Sequence, residues 1–175
     1  MRRRHPPIPA IWLMTDERMS ERLWRALDRL PRGGGVIVRH YGLAASARRE
    51  LIRRVAKVAR KRGLTLVIAG GDPAFPAAGA HNRRHSRAPL RTASAHSRRE
   101  AIAAVRSGAH AVFASPVFAT RSHPGAKALG PVRFGLMIQG LGVPVIALGG
   151  MTAKRARHLQ RLGSSGWAAI DAWLD

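Results

Sequence analysis

The stretch "VPVIALGGMTAKRARHLQRLG" (Val143–Gly163) contains the pattern that decides the fold. Its apolar, β-branched run predicts a buried strand, two glycines follow, and Thr152 stands where it can cap an amphipathic helix. The same order of apolar run, short turn and amphipathic stretch recurs along the chain. This recurrence predicts alternating strands and helices, as in proteins built on a parallel sheet.

Eight segments are strand candidates, and five are helix candidates. The strands are Ala10–Asp16, Gly33–Tyr41, Leu64–Gly70, Ala78–His81, Leu90–Ser94, Ala111–Ser115, Val143–Gly150 and part of Gly166–Asp175. The helices are Ser20–Leu30, Ala45–Gly63, Ser97–His110, Pro131–Gly142 and Thr152–Gly163. We expect Ser20 to cap the first helix and Gly63 to end the second.

Eight β/α units predict an α/β fold, a single-domain TIM (β/α)8 barrel, with an open doubly wound sheet as the alternative. The chain has 175 residues, which is short for a barrel and requires abbreviated helices. We expect residues 1–9 to form a basic tail and residues 10–175 to form the barrel. In either fold, ligands bind where the carboxyl ends of the strands meet.

Lysine and arginine number 31 against 9 acidic residues, for a net charge of +22. Such a surface attracts phosphates and small anionic substrates. The arginines are spread over most predicted helices and accompany no nucleic-acid-binding motif, so a nucleic-acid role is not favoured. Phosphorylated small molecules are the expected partners, and a homo-oligomer remains open.

The chain has no cysteine, which excludes disulfides, iron–sulfur clusters, thiolate zinc sites and cysteine nucleophiles. The start, "MRRRHPPIPAIWLM", is basic, but prolines interrupt its apolar part, unlike a signal peptide. No apolar run reaches the roughly 18 residues that a membrane helix needs. We therefore expect a cytoplasmic protein with no membrane association.

Gly149 and Gly150 lie between a predicted strand and a predicted helix. Backbone N–H groups at such a turn, beside a positive helix end, form a site where phosphate can bind. The alternative is a tight turn that needs small residues and binds nothing.

Ser94 and His96 end another predicted strand, and Ser97 with Glu100 has the spacing of a capping box. Polar side chains at a strand's carboxyl end point toward the ligand site of a barrel. His96 is therefore a candidate for acid–base chemistry or for contact with a diphosphate.

The loop after the sixth strand contains Thr120, Arg121, His123 and Lys127. Positive charge there can stabilise an anionic leaving group as its bond breaks. The alternative is a solvated basic loop without a ligand.

These segments together resemble the thiamine phosphate synthase / thiazole tautomerase (TenI) family. The resemblance runs in order through "IWLMTD", "GGVIVRHY", "SAHSRREA", "ASPVFATRSHPGAKALG", "PVIALGGMT" and "GWAAIDAW". It implies a (β/α)8 barrel that joins hydroxymethylpyrimidine diphosphate to a thiazole phosphate and releases diphosphate with the help of magnesium.

The resemblance also implies roles for individual residues. Arg39, His96 and Lys127 would serve the diphosphate during catalysis. Ser94 and Thr120 would contact the substrates, and Gly149 and Gly150 would bind the thiazole phosphate through their amides. Arg121 and His123 are substrate-binding candidates because they lie in the same loop as Thr120.

The chain departs from the family pattern mainly at the magnesium end. Ala69 and Gly70 stand where the family has an Asn-Asp pair, which leaves Asp72 as the candidate metal ligand. Ile37 and Tyr41 replace two polar residues that flank the matching arginine, and Asp171 replaces a serine near the phosphate. A thiazole tautomerase that uses His96 or His123 as a proton shuttle is the second hypothesis. A degenerate phosphate-binding or nucleic-acid-associated protein is the third.

Overall fold

The computed structural model describes residues 7–83, 85–121 and 125–174. Its strands are β1 (Ile11–Met14), β2 (Gly35–Val38), β3 (Thr65–Ala69), β4 (Gly79–His81), β5 (Arg91–Ala95), β6 (Ala111–Ala114), β7 (Val145–Leu148) and β8 (Gly166–Ala169). Its helices are α1 (Arg22–Arg29), α2 (Ala45–Arg62), α3 (Arg98–Arg106), α4 (Gly130–Ile138) and α5 (Ala153–Gln160).

The eight strands form a closed barrel in which each strand is parallel to the next, and β8 returns to pair with β1. This confirms the predicted fold and excludes the open sheet. Trp12 of β1 and Phe113 of β6 are fully buried, with their ring centroids 5.3 Å apart in an edge-to-face contact. Gly35 leaves room for the Trp12 indole, which occupies the space that any larger side chain would need.

Helix α2 shows why the predicted elements form where they do. Ile52, Val55 and Ala59 are buried on one face, while most of its arginines and lysines lie on the exposed face. Gly63 follows in the left-handed region, at φ 66°, and its N–H donates to carbonyls of the last turn. The predicted end of this helix is therefore confirmed.

The predicted cap of α1 is wrong. Ser20 has φ 44° and closes a short 3₁₀ turn, Glu17–Met19, while α1 starts at Arg22 without a side-chain cap. The turn forms because the Asp16 carboxylate accepts a hydrogen bond from the Arg18 N–H, and it buries Met19 completely. A side-chain interaction at the end of β1 thus displaces the helix start.

The barrel is short because the described connections from β3 to β4 and from β4 to β5 are turns rather than helices. The carboxyl ends of the strands lead into loops that carry polar residues, including Asp16, Arg39, His96 and Asp171. None of the described helices is long and apolar enough to cross a membrane.

Candidate active site

A cavity of about 130 Å³ lies where the carboxyl ends of the strands meet. Five predicted site residues line it together, although they follow four different strands: Arg39, His96, Thr120, Gly149 and Gly150. The rest of the lining is mostly apolar and comes from Pro116, Ala126, Leu148, Met151, Ala169, Ile170 and Ala172, with Ser115 and Asp171 as further polar members. The barrel thus brings five of the ten predicted site residues together around one cavity.

Arg39 is oriented by two residues that follow β1. Its Nε donates to the Thr15 carbonyl oxygen at 3.0 Å, and its Nη2 donates to Asp16 Oδ2 at 2.8 Å. Its backbone N–H donates to Thr15 Oγ1 at 3.0 Å. Nη1 makes no hydrogen bond within the part of the chain that the structure describes, so it remains available to a ligand in the cavity.

Asp16 keeps a negative charge beside Arg39. Partial burial acts to raise the pKa of Asp16, but hydrogen bonds from Arg18 and the charges of Arg18 and Arg39 outweigh it, so this pKa lies below its ordinary value. The carboxylate is therefore ionised at neutral pH and can hold the guanidinium in place.

Behind Arg39, Thr15 and His40 form a buried pair. Thr15 Oγ1 lies 3.0 Å from His40 Nδ1. Burial lowers the pKa of His40, which favours the neutral ring. The sequence analysis assigned no role to Thr15, Asp16 or His40. The rule that selected Ser94 and His96, polar residues directly after a strand, would also have found them.

His96 is held by its backbone and by one ring nitrogen. Its N–H donates to Glu100 Oε2 at 2.8 Å, and its Nδ1 lies 2.8 Å from the Ser115 carbonyl oxygen. Because a carbonyl oxygen only accepts, Nδ1 carries the hydrogen in this contact. Nε2 has no partner among the described residues and is free to act on a ligand.

The turn between β7 and α5 brings backbone N–H groups to the cavity. Gly149 and Gly150 have φ values of 93° and 59°, which favour glycine. A Cβ on Gly149 would lie 2.7 Å from Pro116 Cα, and a Cβ on Gly150 would lie 2.9 Å from Phe118 Cβ.

The same turn leaves its donors unused. The N–H groups of Gly149, Gly150 and Met151 donate to no described residue. Arg155 donates to the Gly150 carbonyl oxygen and stacks over Phe118 at 4.5 Å, and Thr152 caps α5. The turn is thus held from outside the cavity, and its free N–H groups can bind an anion.

Asp171 adds a carboxylate to the cavity wall. Its Oδ2 lies 3.4 Å from Arg121 Nε, and the Arg121 side chain is 78% exposed. Arg121 itself lies outside the cavity lining. Among the substrate-binding candidates, Arg121 therefore reaches the site only through Asp171.

Three other candidates lie away from this cavity. Ser94 Oγ is 2.9 Å from His81 Nε2 and lines a separate cavity beside α3. Lys127 is exposed and does not line the main cavity. Asp72 lines a third cavity, where it accepts from the Ala74 N–H at 2.9 Å and lies 3.8 Å from Arg49. His123 lies outside the described residues.

His81 is a buried residue that the sequence analysis did not select. Its Nδ1 lies 2.8 Å from Thr92 Oγ1, and its ring meets Phe113 edge to face at 5.4 Å. Burial, with a contribution from the charge of Arg39, lowers the pKa of His81 to about 4. The ring is therefore neutral at pH 7 and holds Ser94 beside it.

The residues present do not fit a magnesium ion. No group of three or more metal-ligating side chains occurs among the described residues. Asp16, Asp72 and Asp171 each already pair with an arginine. Magnesium prefers several oxygen ligands in octahedral geometry, and these carboxylates do not provide them together.

Known proteins share this architecture and sequence pattern. A family model described as thiamine monophosphate synthase (TMP-TENI) matches residues 11–173. The protein named "Putative thiamine-phosphate synthase 2" of Aquifex aeolicus (strain VF5) is 34% identical over 68 residues. That match covers 39% of this chain and only 37% of the relative.

Solved structures are similar in fold. The thiamine phosphate pyrophosphorylase from Pyrococcus furiosus superposes with a TM-score of 0.78 at 21% identity, over 94% of this chain and 87% of that one. The N-acetylmannosamine-6-phosphate 2-epimerase from Clostridium perfringens superposes with a TM-score of 0.57 at 14% identity, over 93% and 86%. At these identities the likeness concerns the barrel alone. The family model, however, spans nearly the whole chain, and the chain belongs to the thiamine monophosphate synthase family.

Proposed function

We propose that this chain is a transferase of thiamine biosynthesis that joins hydroxymethylpyrimidine diphosphate to a thiazole phosphate and releases diphosphate. The observation that supports it is the convergence of Arg39, His96 and the Gly149–Gly150 turn on one cavity. Arginine and histidine suit a diphosphate, and free backbone N–H groups suit a phosphate monoester. Both substrates are phosphorylated small molecules, and we place their reaction in the cytoplasm.

In this reaction the carbon–oxygen bond between the pyrimidine methylene group and the diphosphate breaks, and its electron pair leaves with the diphosphate. The lone pair of the thiazole nitrogen then forms the new carbon–nitrogen bond. No proton is gained or lost in this exchange. The protein contributes by holding the reactants together and by stabilising the charge that develops on the leaving group.

Different residues of the cavity bind the two phosphorylated groups. Arg39 directs its free Nη1 donor at the diphosphate, and the Thr15–Asp16 pair prevents the guanidinium from turning away. His96 Nε2 donates a further hydrogen bond when the ring is protonated. At the other end, Gly149 and Gly150 bind the thiazole phosphate, with Thr120 beside it.

Lys127 remains a proposed contact to the diphosphate. Its side chain is exposed in the loop that also carries Thr120, and it lies outside the cavity lining. The contact therefore requires this loop to fold over the bound substrate. We assign no step to magnesium, because the described side chains do not fit it.

A thiazole tautomerase is the second candidate, and one observation favours it. His96 directs an unpartnered nitrogen at the cavity, while its Nδ1 is fixed by the Ser115 carbonyl oxygen. Such a ring can take a proton from one atom of a thiazole and return it to another without a metal.

The test is an assay of the purified chain with both thiamine precursors, with and without magnesium, in which thiamine phosphate and diphosphate are both followed. We expect equal amounts of the two products, and we expect Arg39→Ala to abolish them. The matched control is Arg53→Ala, which removes an exposed arginine of α2 paired with Glu50.

The possible outcomes separate the two candidates. Absence of both products under all metal conditions would overturn the synthase proposal. Proton exchange on a thiazole carboxylate phosphate, followed by NMR and lost in His96→Gln, would then support the tautomerase.

A further inference from the structure

Asp171 and Arg121 form an ion pair beside the Gly149–Gly150 turn. Asp171 follows β8, the turn follows β7, and Arg121 lies in the loop that follows β6, and these three strands are neighbours in the barrel. The turn packs against the β6 loop, because a Cβ on Gly150 would clash with the Ala119 carbonyl oxygen. Arg121 Nε lies 3.4 Å from Asp171 Oδ2. The pair therefore connects the loops on the two sides of the turn.

The ion pair uses only one oxygen of the Asp171 carboxylate. Oδ2 faces Arg121, whereas Oδ1 accepts no hydrogen bond from the part of the chain that the structure describes. Asp171 lines the same cavity as Gly149 and Gly150, and its side chain is only 28% exposed. A carboxylate oxygen accepts hydrogen bonds and cannot donate one. The cavity thus presents an unused acceptor together with the unused N–H donors of the turn.

The turn and the carboxylate make opposite demands on a ligand. The N–H groups favour an oxyanion. The carboxylate repels a second negative charge, and it does so more strongly inside a cavity than in open water. An oxyanion that retains a hydroxyl group meets both demands, because its charged oxygens accept from the turn and its O–H donates to Asp171 Oδ1.

We infer that Asp171 is a specificity-determining residue, which makes the turn bind the protonated form of a phosphate group and reject oxyanions without a hydroxyl. The inference rests on the proposed function, which places a phosphate at Gly149 and Gly150. For a phosphate monoester the protonated form is the monoanion. Arg121 acts as a positioning residue, because it holds Oδ2 and leaves Oδ1 for the ligand.

Other charges near Asp171 act on every anion. Arg39 and His96 line the same cavity, the charge of Arg18 interacts with that of Asp171, and Asp16 pairs with both arginines. These groups attract phosphate and sulfate alike, and His96 does so more strongly when it gains a proton. The ratio of the affinities for two anions therefore isolates the effect of the Asp171 carboxylate.

The test compares inorganic phosphate, which retains a hydroxyl group at pH 7, with sulfate, which has none. Amide NMR titrations at constant ionic strength follow the Gly149 and Gly150 signals, so they report binding at the turn and not elsewhere on the basic surface. Phosphate should bind about tenfold more tightly than sulfate, because sulfate leaves Oδ1 without a donor. Asp171→Asn should remove this preference, since its amide can donate to either anion.

Asp28→Asn is the matched control. Asp28 also pairs with an arginine, Arg62, at 3.5 Å, but it lies on α1 and outside the cavity lining. This variant should keep the wild-type preference for phosphate. The unchanged positions of the other amide signals show that each variant is folded.

Methyl phosphate tests the protonation state directly. Its affinity relative to sulfate should fall in the wild type as the pH rises through about 6, where a phosphate monoester loses its hydroxyl proton. Sulfate corrects for the titration of His96, which affects both anions. Asp171→Asn should not show this fall.

Equal binding of phosphate and sulfate by the wild type, or a preference that survives in Asp171→Asn, would overturn the inference and leave the transferase proposal standing. Absence of shifts at Gly149 and Gly150 with both anions would overturn the inference together with the proposed phosphate site. A preference that depends on Asp171 supports the inference even if the chain forms no thiamine phosphate, an outcome that counts against the transferase alone.

Discussion

Arg39 depends on three hydrogen bonds to the residues that follow β1. The guanidinium is planar and presents its donors in a fixed fork, so it can bind Thr15, Asp16 and a ligand at once. A lysine at this position would keep the positive charge but would lack donors fixed in several directions. The direction of the donor, and not the charge alone, therefore decides what this residue can do.

Arg39→Lys should lower kcat/KM for the diphosphate substrate about 100-fold, since the loss of one positioned hydrogen-bond donor to a developing negative charge is worth about that order of magnitude. Steady-state kinetics of product formation would measure this effect. Arg18→Lys is the matched control, because Arg18 also pairs with Asp16 but does not line the cavity. Equal losses in the two variants would contradict the assigned role of Arg39.

His81 should make the stability of the fold depend on pH. Its pKa is about 4 in the folded state and near 6.5 in the unfolded chain, so only the unfolded state gains a proton between these values. The free energy of unfolding is therefore highest above pH 6.5 and falls by up to about 3 kcal/mol as the pH drops to 4.

Urea unfolding of the wild type and of His81→Gln between pH 4 and pH 8 would measure this dependence. The glutamine keeps hydrogen-bonding groups for Thr92 and Ser94 but does not titrate. The variant should lose most of the slope between pH 6.5 and pH 4. If the free energy of unfolding of His81→Gln changed with pH as steeply as that of the wild type, groups other than His81 would be responsible for the pH dependence.

At the scale of an element, the β7–α5 turn connects the packing of the barrel to the proposed phosphate site. Backbone hydrogen bonds tie it to the neighbouring loop, with Val117 N donating to the Leu148 carbonyl oxygen and Phe118 N donating to that of Gly149. The two loops are therefore one unit, and crowding between them leaves room only for glycine at Gly149 and Gly150.

Gly150→Ala should lower the free energy of unfolding by about 2 kcal/mol or more and weaken phosphate binding, because its Cβ would press on Phe118 and on the Ala119 carbonyl oxygen. Gly140→Ala is the matched control. Gly140 also has a positive φ, 70°, but nothing lies within 4 Å of an added Cβ, so only the backbone strain remains. Urea unfolding should show the larger loss at Gly150, and a loss no larger than at Gly140 would contradict the crowding argument.

At the scale of the whole molecule, the excess of positive charge works against the compact state. The structure pairs Asp16, Glu50, Asp28, Asp72 and Asp171 with arginines, but 31 basic residues face only 9 acidic ones. The unpaired cations repel one another in the folded chain more than in the expanded one.

Sodium chloride should therefore raise the Tm by several degrees between low and physiological ionic strength, since screening relieves this repulsion. Differential scanning calorimetry would measure it, with sucrose as an uncharged control. A Tm that stays constant or falls with salt would contradict this account.

The strands and helices were predictable because their signals are local. Apolar runs, Gly63 and the Ser97–Glu100 cap act within a few residues, and the structure contains each of them. The predicted Ser20 cap is wrong because the Asp16 side chain stabilises a competing turn, and hydrophobic periodicity does not detect such a turn. For the site, residue type and position after a strand selected His96, Thr120 and the glycine pair, whereas Arg39 was assigned from the resemblance to the family.

The sequence by itself determined the barrel, its order of elements and the end of the barrel at which the candidate site lies, because each follows from local periodicity and turn chemistry. Only the tertiary structure decided that Arg39 is fixed by Thr15 and Asp16, that Ser94 bonds His81, and that Lys127 lies outside the cavity. Adjacent strands of a barrel bring together residues that are far apart in the chain. The direction of a side chain then depends on partners that no local pattern identifies.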